Sequence, residues 1–298
     1  MIRALLGLAL VACNPAVQTP KPSSVKLYSI GHSLSSEIPD MVASLAKNTP
    51  GLKFEFQEQF RLGASLETQW NEAVKPGDKY DDKQFRVNYP NSLAKGGYNA
   101  VVLIDSVPRG GDWQEKNSVE FLTKFADYIG RTNPNASIYY VEPWHSLKSG
   151  TGKAEWDTHS PTRNLLWRKR VDADAPMWLK IKSAAEKATG KKITIIREAQ
   201  ALGALVDAAE AGRLPGFTKA QDLFGDDIHL KPAGMYFIAC LQYGVLFGRS
   251  PEGLTVDLKG RWGGEYWGKQ LYGNGPIHQR PDPVAVKEMQ RIAWQFAK

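Results

Sequence analysis

Val25-Lys26-Leu27-Tyr28-Ser29-Ile30-Gly31-His32-Ser33-Leu34-Ser35-Ser36-Glu37-Ile38 is the stretch that decides the fold. Residues 25–30 form a short apolar run of strand type. From Ile38 the periodicity changes: Ile38, Met41, Val42, Leu45 and Ala46 recur at i, i+3, i+4, i+7 and i+8, the spacing of one buried helix face. Ser35 or Ser36 is placed to cap that helix. Ser33 then falls in the loop just past the carboxyl end of the first strand, on the rim where open α/β sheets bind their ligands.

The same alternation continues along the chain. Residues 52–56, 100–104, 137–142 and 193–197 are further strand-like runs, with segments able to carry helices between them. Strands alternating with helical patterns predict parallel crossovers. The expected fold is therefore a three-layer, flavodoxin-like α/β domain with a five-stranded parallel sheet. Residues 231–247 predict a strongly apolar helix, with Pro232 near its first turn. Asp282-Pro283 opens a last one, whose Val286, Met289, Ala293 and Phe296 can pack inward. Two long stretches, about 144–171 and 249–280, do not fit the alternation and read as insertions on a single domain spanning 25–298.

Composition sets outer bounds. The chain has 298 residues, 42% hydrophobic and 23% charged, with a formal charge of +7. These are ordinary values for a globular protein, and no basic run exceeds Arg168-Lys169-Arg170, so no nucleic-acid partner is expected. The first residues read as a processing signal: Arg3 is followed by an apolar run, 4–11, far too short to cross a membrane as a helix. Residues 1–12 are read as a signal peptide and 13–24, rich in Pro, Ser and Thr, as a tether. Leu10-Val11-Ala12-Cys13 resembles the lipobox of bacterial lipoproteins, which implies lipidation at Cys13, export to the cell envelope and a membrane anchor. The chain has two cysteines. With Cys13 lipidated, Cys240 has no partner within the chain, and its apolar helical setting reads as that of a buried, inert thiol.

The residues able to carry chemistry lie far apart in the chain. A serine hydroxyl is a poor nucleophile until a base takes its proton, and that base needs a carboxylate to orient it. Gly31-His32-Ser33 supplies the hydroxyl. Asp226-Asp227-Ile228-His229 supplies an imidazole three residues after a carboxylate. The order is Ser, Asp, His, and the three-residue spacing selects Asp226 over Asp227. The Gly-x-Ser-x-Gly elbow of α/β-hydrolases is not matched, because Ser35 stands at the second glycine position. His32, His145, His159 and His278 are not spaced as metal ligands, and no metal or other cofactor is expected.

On these residues the chain resembles the SGNH (GDSL-type) hydrolase family. Gly31-His32-Ser33-Leu34-Ser35 is similar to the family's first block, with His32 in place of the usual Asp. Asp226-Asp227-Ile228-His229, followed by Leu-Lys-Pro-Ala-Gly and a helix, is similar to its last block. The resemblance covers most of residues 25–248. It implies a Ser33–His229–Asp226 triad and an oxyanion hole built on the amides of Ser33 and Gly63, the latter in Arg61-Leu62-Gly63-Ala64-Ser65. The family's third block brings an asparagine after strand three. This chain reads Ile104-Asp105-Ser106-Val107 there, so one donor is missing, and Asn71 is the candidate substitute.

Aromatic residues gather in the insertions: Trp144 and His145, Trp156 and Trp167, then Trp262, Tyr266, Trp267 and Tyr272. Aromatic faces near Arg and Gly suit stacking on sugars. Trp144, His145, Trp262 and Trp267 are accordingly the expected substrate-binding residues. The expected function is hydrolysis of ester groups, foremost O-acetyl groups, on an extracellular or cell-wall carbohydrate through an acyl-enzyme. The alternatives are O-acyl transfer to a glycan and a non-catalytic glycan-binding lipoprotein on a hydrolase scaffold.

Overall fold

A computed structural model describes residues 21–73, 88–107, 111–153, 160–260, 265–268 and 277–298. The expected signal peptide, Cys13, most of the tether, Trp156 and Trp262 lie outside the described residues.

The sheet has five strands: β1 (Ser24–Gly31), β2 (Lys53–Phe60), β3 (Ala100–Ile104), β4 (Ser137–Val141) and β5 (Ile193–Ile196). Their order is β2-β1-β3-β4-β5 and every pairing is parallel. This is the doubly wound order of flavodoxin-like folds, whose switch point lies between β1 and β3. The inner strands β3 and β4 show little polar–apolar alternation because both sheet faces are covered there, whereas the edge strand β2 alternates. Val25 and Leu27 of β1, with Ala100, Val102 and Ile104 of β3, face one core cluster. Tyr28 and Ile30, with Val101 and Leu103, face the other.

Helices α1 (Ile38–Lys47), α5 (Glu198–Glu210), the short α6 (Ala220–Leu223), α7 (Pro232–Phe247) and α8 (Pro283–Ala297) cover the first face. The other is covered by α3 (Gly111–Thr132) and α4 (Trp167–Thr189), with α2 (Leu66–Glu72) at its end. All five residues of the expected α1 stripe are buried. Helix α7 is buried on nearly every side because α1 and α8 flank it, and a helix hydrophobic all round belongs in such a place. Cys240 is fully buried there, and burial pushes its thiol up to about 12, as an inert thiol requires. Among the described residues, no helix is long and apolar enough to cross a membrane.

Three details differ from expectation. Strand β2 runs on to Phe60, four residues past the expected end, through Gln57-Glu58-Gln59. These polar residues join the sheet because Gln59 is buried and paired: its Nε2 donates to Gln69 Oε1 at 2.9 Å and its Oε1 accepts the Tyr89 N–H at 2.7 Å. Neither Ser35 nor Ser36 caps α1. Glu37 is the N-cap, while the Ser35 hydroxyl turns back to the His32 carbonyl at 2.9 Å. The first insertion also ends sooner than expected, since α4 begins at Trp167.

Candidate active site

The chain leaves β1 in a tight turn. The Gly31 carbonyl accepts two N–H groups, from Gln69 Nε2 at 2.6 Å and from the Arg61 backbone at 3.1 Å. A Cβ on Gly31 would run into Ser35 Oγ, so glycine is required by space here rather than by φ. The His32 ring is buried and fixed: Nε2 donates to the Asp105 carbonyl at 2.9 Å, and Nδ1 accepts the Leu34 N–H at 3.4 Å. That pairing sets the ring as the Nε2–H tautomer. His32 is therefore a brace for the turn that carries Ser33, with both of its ring nitrogens taken by the backbone.

The fold brings Ser33 and His229, 196 positions apart, into contact: His229 Nε2 lies 2.9 Å from Ser33 Oγ. His229 Nδ1 lies 2.7 Å from Asp226 Oδ2. A carboxylate can only accept, so Nδ1 carries the proton and the Nε2 lone pair faces the serine hydroxyl. Asp226 Oδ1 accepts the backbone N–H groups of Ile228 and His229 at 2.8 and 2.7 Å. Partial burial acts to raise the Asp226 carboxyl, but those amides and the imidazole outweigh it and hold it below the usual carboxylate range. The His–Asp pair is open to water, with side chains 45% and 53% exposed.

A cavity of about 300 Å³ opens beside Ser33 and His229. Leu34, Leu62, Val107 and Ile228 give it apolar walls, and Gly63 and Ser106 complete it. Gly63 has φ +61, in the left-handed region, and nothing stands where its Cβ would be. Conformation alone therefore requires glycine there. Of the expected oxyanion residues, Ser33 and Gly63 meet at this cavity. Asn71 does not: it is exposed in the last turn of α2 and is not part of the cavity wall.

The expected sugar-binding residues divide differently. Trp144 and His145 are buried at 1% and 4% exposure and have no face to offer a substrate. The Trp144 indole donates to the Ile228 carbonyl at 2.7 Å. Their loop also gives Leu147 N to the Asp227 carbonyl at 2.7 Å and Ser146 Oγ to Asp227 Oδ2 at 2.8 Å. Residues 144–147 are thus a buttress behind the 226–229 turn. Burial, with Arg170 nearby, pushes the His145 imidazole down to about 3, so it is neutral. Trp267 is half-buried and donates to the Val256 carbonyl at 2.7 Å. It lines a separate cavity of about 600 Å³ with Lys231, His278 and Arg280, which contains none of Ser33, Asp226 and His229.

Asp105 escaped sequence reasoning. It is 1% exposed, and its carboxylate accepts from Leu66 N at 3.0 Å, Ser106 N at 2.7 Å and Ser118 Oγ at 2.6 Å. With its carbonyl on His32, one residue ties together the chain leaving β1, β2 and β3. Among the described residues no group of three His, Cys, Asp or Glu side chains is placed to hold a metal ion.

No family model and no curated protein matches the chain. Among solved structures, it is similar to a DUF4886 family protein from Bacteroides uniformis ATCC 8492. The identity is 18% and the TM-score 0.60, over 91% of this chain and 94% of that one. A carbohydrate esterase family 2 enzyme plus carbohydrate binding domain from Corynascus thermopiles (Myceliophthora fergusii) matches at 13% identity and a TM-score of 0.32, covering 60% of this chain and 57% of that one. Phospholipase A1 from Streptomyces albidoflavus NA297 matches at 13% and 0.34, covering 71% and 94%. The first likeness shows a shared fold. The other two superpose too loosely to bear on the site.

Proposed function

We propose that the protein is a serine esterase with Ser33 as nucleophile, His229 as general base and acid, and Asp226 as the group that orients it. One observation carries the reading: the unbroken chain of contacts from Ser33 Oγ through the imidazole to the Asp226 carboxylate. As Oγ attacks the ester carbonyl, Nε2 takes its proton and the Asp226 carboxylate stabilises the imidazolium. The tetrahedral oxyanion is held by the Ser33 and Gly63 amides. It collapses as Nε2 protonates the departing alcohol, leaving Ser33 acylated. Water, deprotonated by the same nitrogen, attacks the acyl-enzyme and releases the acid and the free serine.

The acyl group lodges in the apolar cavity and the alcohol lies toward solvent. Hydrolysis is favoured over transfer to a glycan because the exposed His–Asp pair leaves water free access. The substrate class we propose is an acylated extracellular or cell-wall carbohydrate, O-acetyl groups first, acted on by a single-domain, envelope-exported lipoprotein anchored through Cys13. The SGNH resemblance of the two end blocks supports the chemistry, and the lipobox-like Leu10-Val11-Ala12-Cys13 supports the location. A longer apolar acyl chain is the second reading, since a methyl group uses little of about 300 Å³ walled by Leu34, Leu62, Val107 and Ile228.

The test is turnover of a chromogenic acetyl ester by wild type, Ser33→Ala and His229→Ala. A wild type no faster than either variant makes the protein a binding module. Cys13→Ser releases the protein from membranes if the anchor is real, and unchanged partitioning refutes it.

A further inference from the structure

The amides of Ser33 and Gly63 leave the oxyanion one donor short of the set that the family resemblance implies, and Asn71 is not part of the cavity wall. The cavity wall has another polar residue, in the loop after β3. Ser106 is the second residue past β3, is 5% exposed and lines the same cavity as Ser33, Gly63 and His229. Its backbone is fixed at both ends: its N–H donates to Asp105 Oδ1 at 2.7 Å, and its carbonyl accepts Gln114 Nε2 at 3.3 Å. Its hydroxyl, by contrast, has no hydrogen-bond partner among the described residues, and it is not sealed from solvent as the orphaned buried atoms are. A rigidly mounted hydroxyl with no protein partner, at the edge of a catalytic cavity, is a donor held ready for a charge that appears only during reaction.

We propose that Ser106 Oγ is the third oxyanion donor, and that Asp105 is the positioning residue that sets it in register with Gly63. The inference rests on the esterase reading above. Asp105 Oδ1 is shared between Ser106 N and Leu66 N. Leu66 opens α2 directly behind the Leu62-Gly63-Ala64-Ser65 turn, so one buried oxygen fixes the spacing between the two donor loops. In the transition state the Ser106 O–H donates to the carbonyl oxygen as negative charge gathers there. It exchanges no proton, and it returns to water when the intermediate collapses.

The experiment compares wild type, Ser33→Ala, Ser106→Ala, Ser106→Thr and Asp105→Asn on one chromogenic ester. Inhibition by an alkyl trifluoromethyl ketone, whose adduct with Ser33 carries an oxyanion, is measured alongside. Loss of one such donor costs about a hundred- to a thousandfold, so Ser106→Ala lowers kcat/KM by roughly that factor and weakens the ketone by a similar one. Ser106→Thr, which keeps the hydroxyl, restores most of both. Melting temperature is unchanged in Ser106→Ala because the hydroxyl bonds nothing among the described residues. Asp105→Asn weakens ketone binding in the same direction. The proposal is overturned if Ser106→Ala stays within about twofold of wild type while Ser33→Ala is inactive, or if Ser106→Ala and Ser106→Thr lose activity and stability together. The esterase reading itself falls, separately, if Ser33→Ala retains wild-type turnover.

Discussion

Asp226 holds His229 by two groups at once: Oδ2 lies 2.7 Å from the ring Nδ1 and Oδ1 accepts the residue's own backbone N–H at 2.7 Å. The side chain is therefore oriented relative to its own main chain, and the ring's remaining freedom is taken by Ser33. Groups arranged this way act as a unit. Ser33→Ala and His229→Ala should each cost about 10⁴- to 10⁶-fold in kcat, and the double variant should cost no more than the worse single. Asp226→Asn, which keeps the shape and misplaces the Nδ1 proton, should cost up to about 10⁴-fold. Costs that multiply in the double variant would mean that the residues work independently, contrary to the geometry.

Gly31 and Gly63 border the same site but require glycine for different reasons, and Ala substitution separates them. Gly31→Ala drives a methyl into Ser35 Oγ, so that hydroxyl must leave the His32 carbonyl that it bonds within the turn carrying Ser33. Both stability and activity should fall. Gly63→Ala meets no atom and only strains a φ of +61, which costs about 1–2 kcal/mol locally. Its melting temperature should drop by a few degrees at most, with a disproportionate loss in kcat as the amide swings away from the oxyanion. Equal losses of stability in the two variants, measured by thermal unfolding, would remove the distinction.

How far these features could be read from the sequence follows from what each residue is paired with. The strands were legible because a sheet covered on both faces needs apolar runs, and α1 because one face is buried against α7. The end of β2 was not, since the burial of Gln59 depends on Gln69 and Tyr89, partners that no local pattern reveals. The contacts among Ser33, His229 and Asp226 were legible from residue type and chain order. Trp144 and His145 were misjudged because an indole inside the protein and an indole on display have the same letter. The 2.7 Å bond from Trp144 to the Ile228 carbonyl shows that this one braces the 226–229 turn. Asp105 and Ser106 were passed over because an asparagine was sought at that place, while a different pair of polar groups occupies it.

The cavity walls decide between the two acyl-group readings. Burying one methylene is worth about 0.8 kcal/mol, or about fourfold in kcat/KM, wherever the chain is enclosed. If acyl chains lie against Leu34, Leu62, Val107 and Ile228, a p-nitrophenyl butyrate, two methylenes longer, should exceed the acetate by about fifteenfold. Leu62, 66% exposed at the rim, touches only the outer part of such a chain. Leu62→Asp should therefore depress the butyrate rate more than the acetate rate. An enzyme that prefers acetate, with Leu62→Asp affecting both esters alike, would place the acyl group elsewhere and return the reading to O-acetyl groups.

Away from the site, two carboxyls make stability depend on pH in a direction opposite to the usual one for acids. Burial pushes Glu142 and Glu198 up to about 8 each, from an unfolded value near 4.5. The folded protein thus holds protons that the unfolded chain has already released. Their favourable contribution is complete below about pH 4.5 and is lost as pH rises through about 8. His145, held near 3 in the fold against 6.5 unfolded, opposes this below 6.5, so the clear window is pH 6.5 to 8. There the unfolding free energy should fall by about 1–3 kcal/mol per pH unit, since each proton difference contributes about 1.4. Urea midpoints for wild type and for Glu142→Gln/Glu198→Gln measure it. The double variant keeps a neutral group at both positions, including the contact of Gln242 Nε2 with residue 198, and its profile across the window should be nearly flat. A double variant with the wild-type slope would show that neither carboxyl carries the proton at neutral pH.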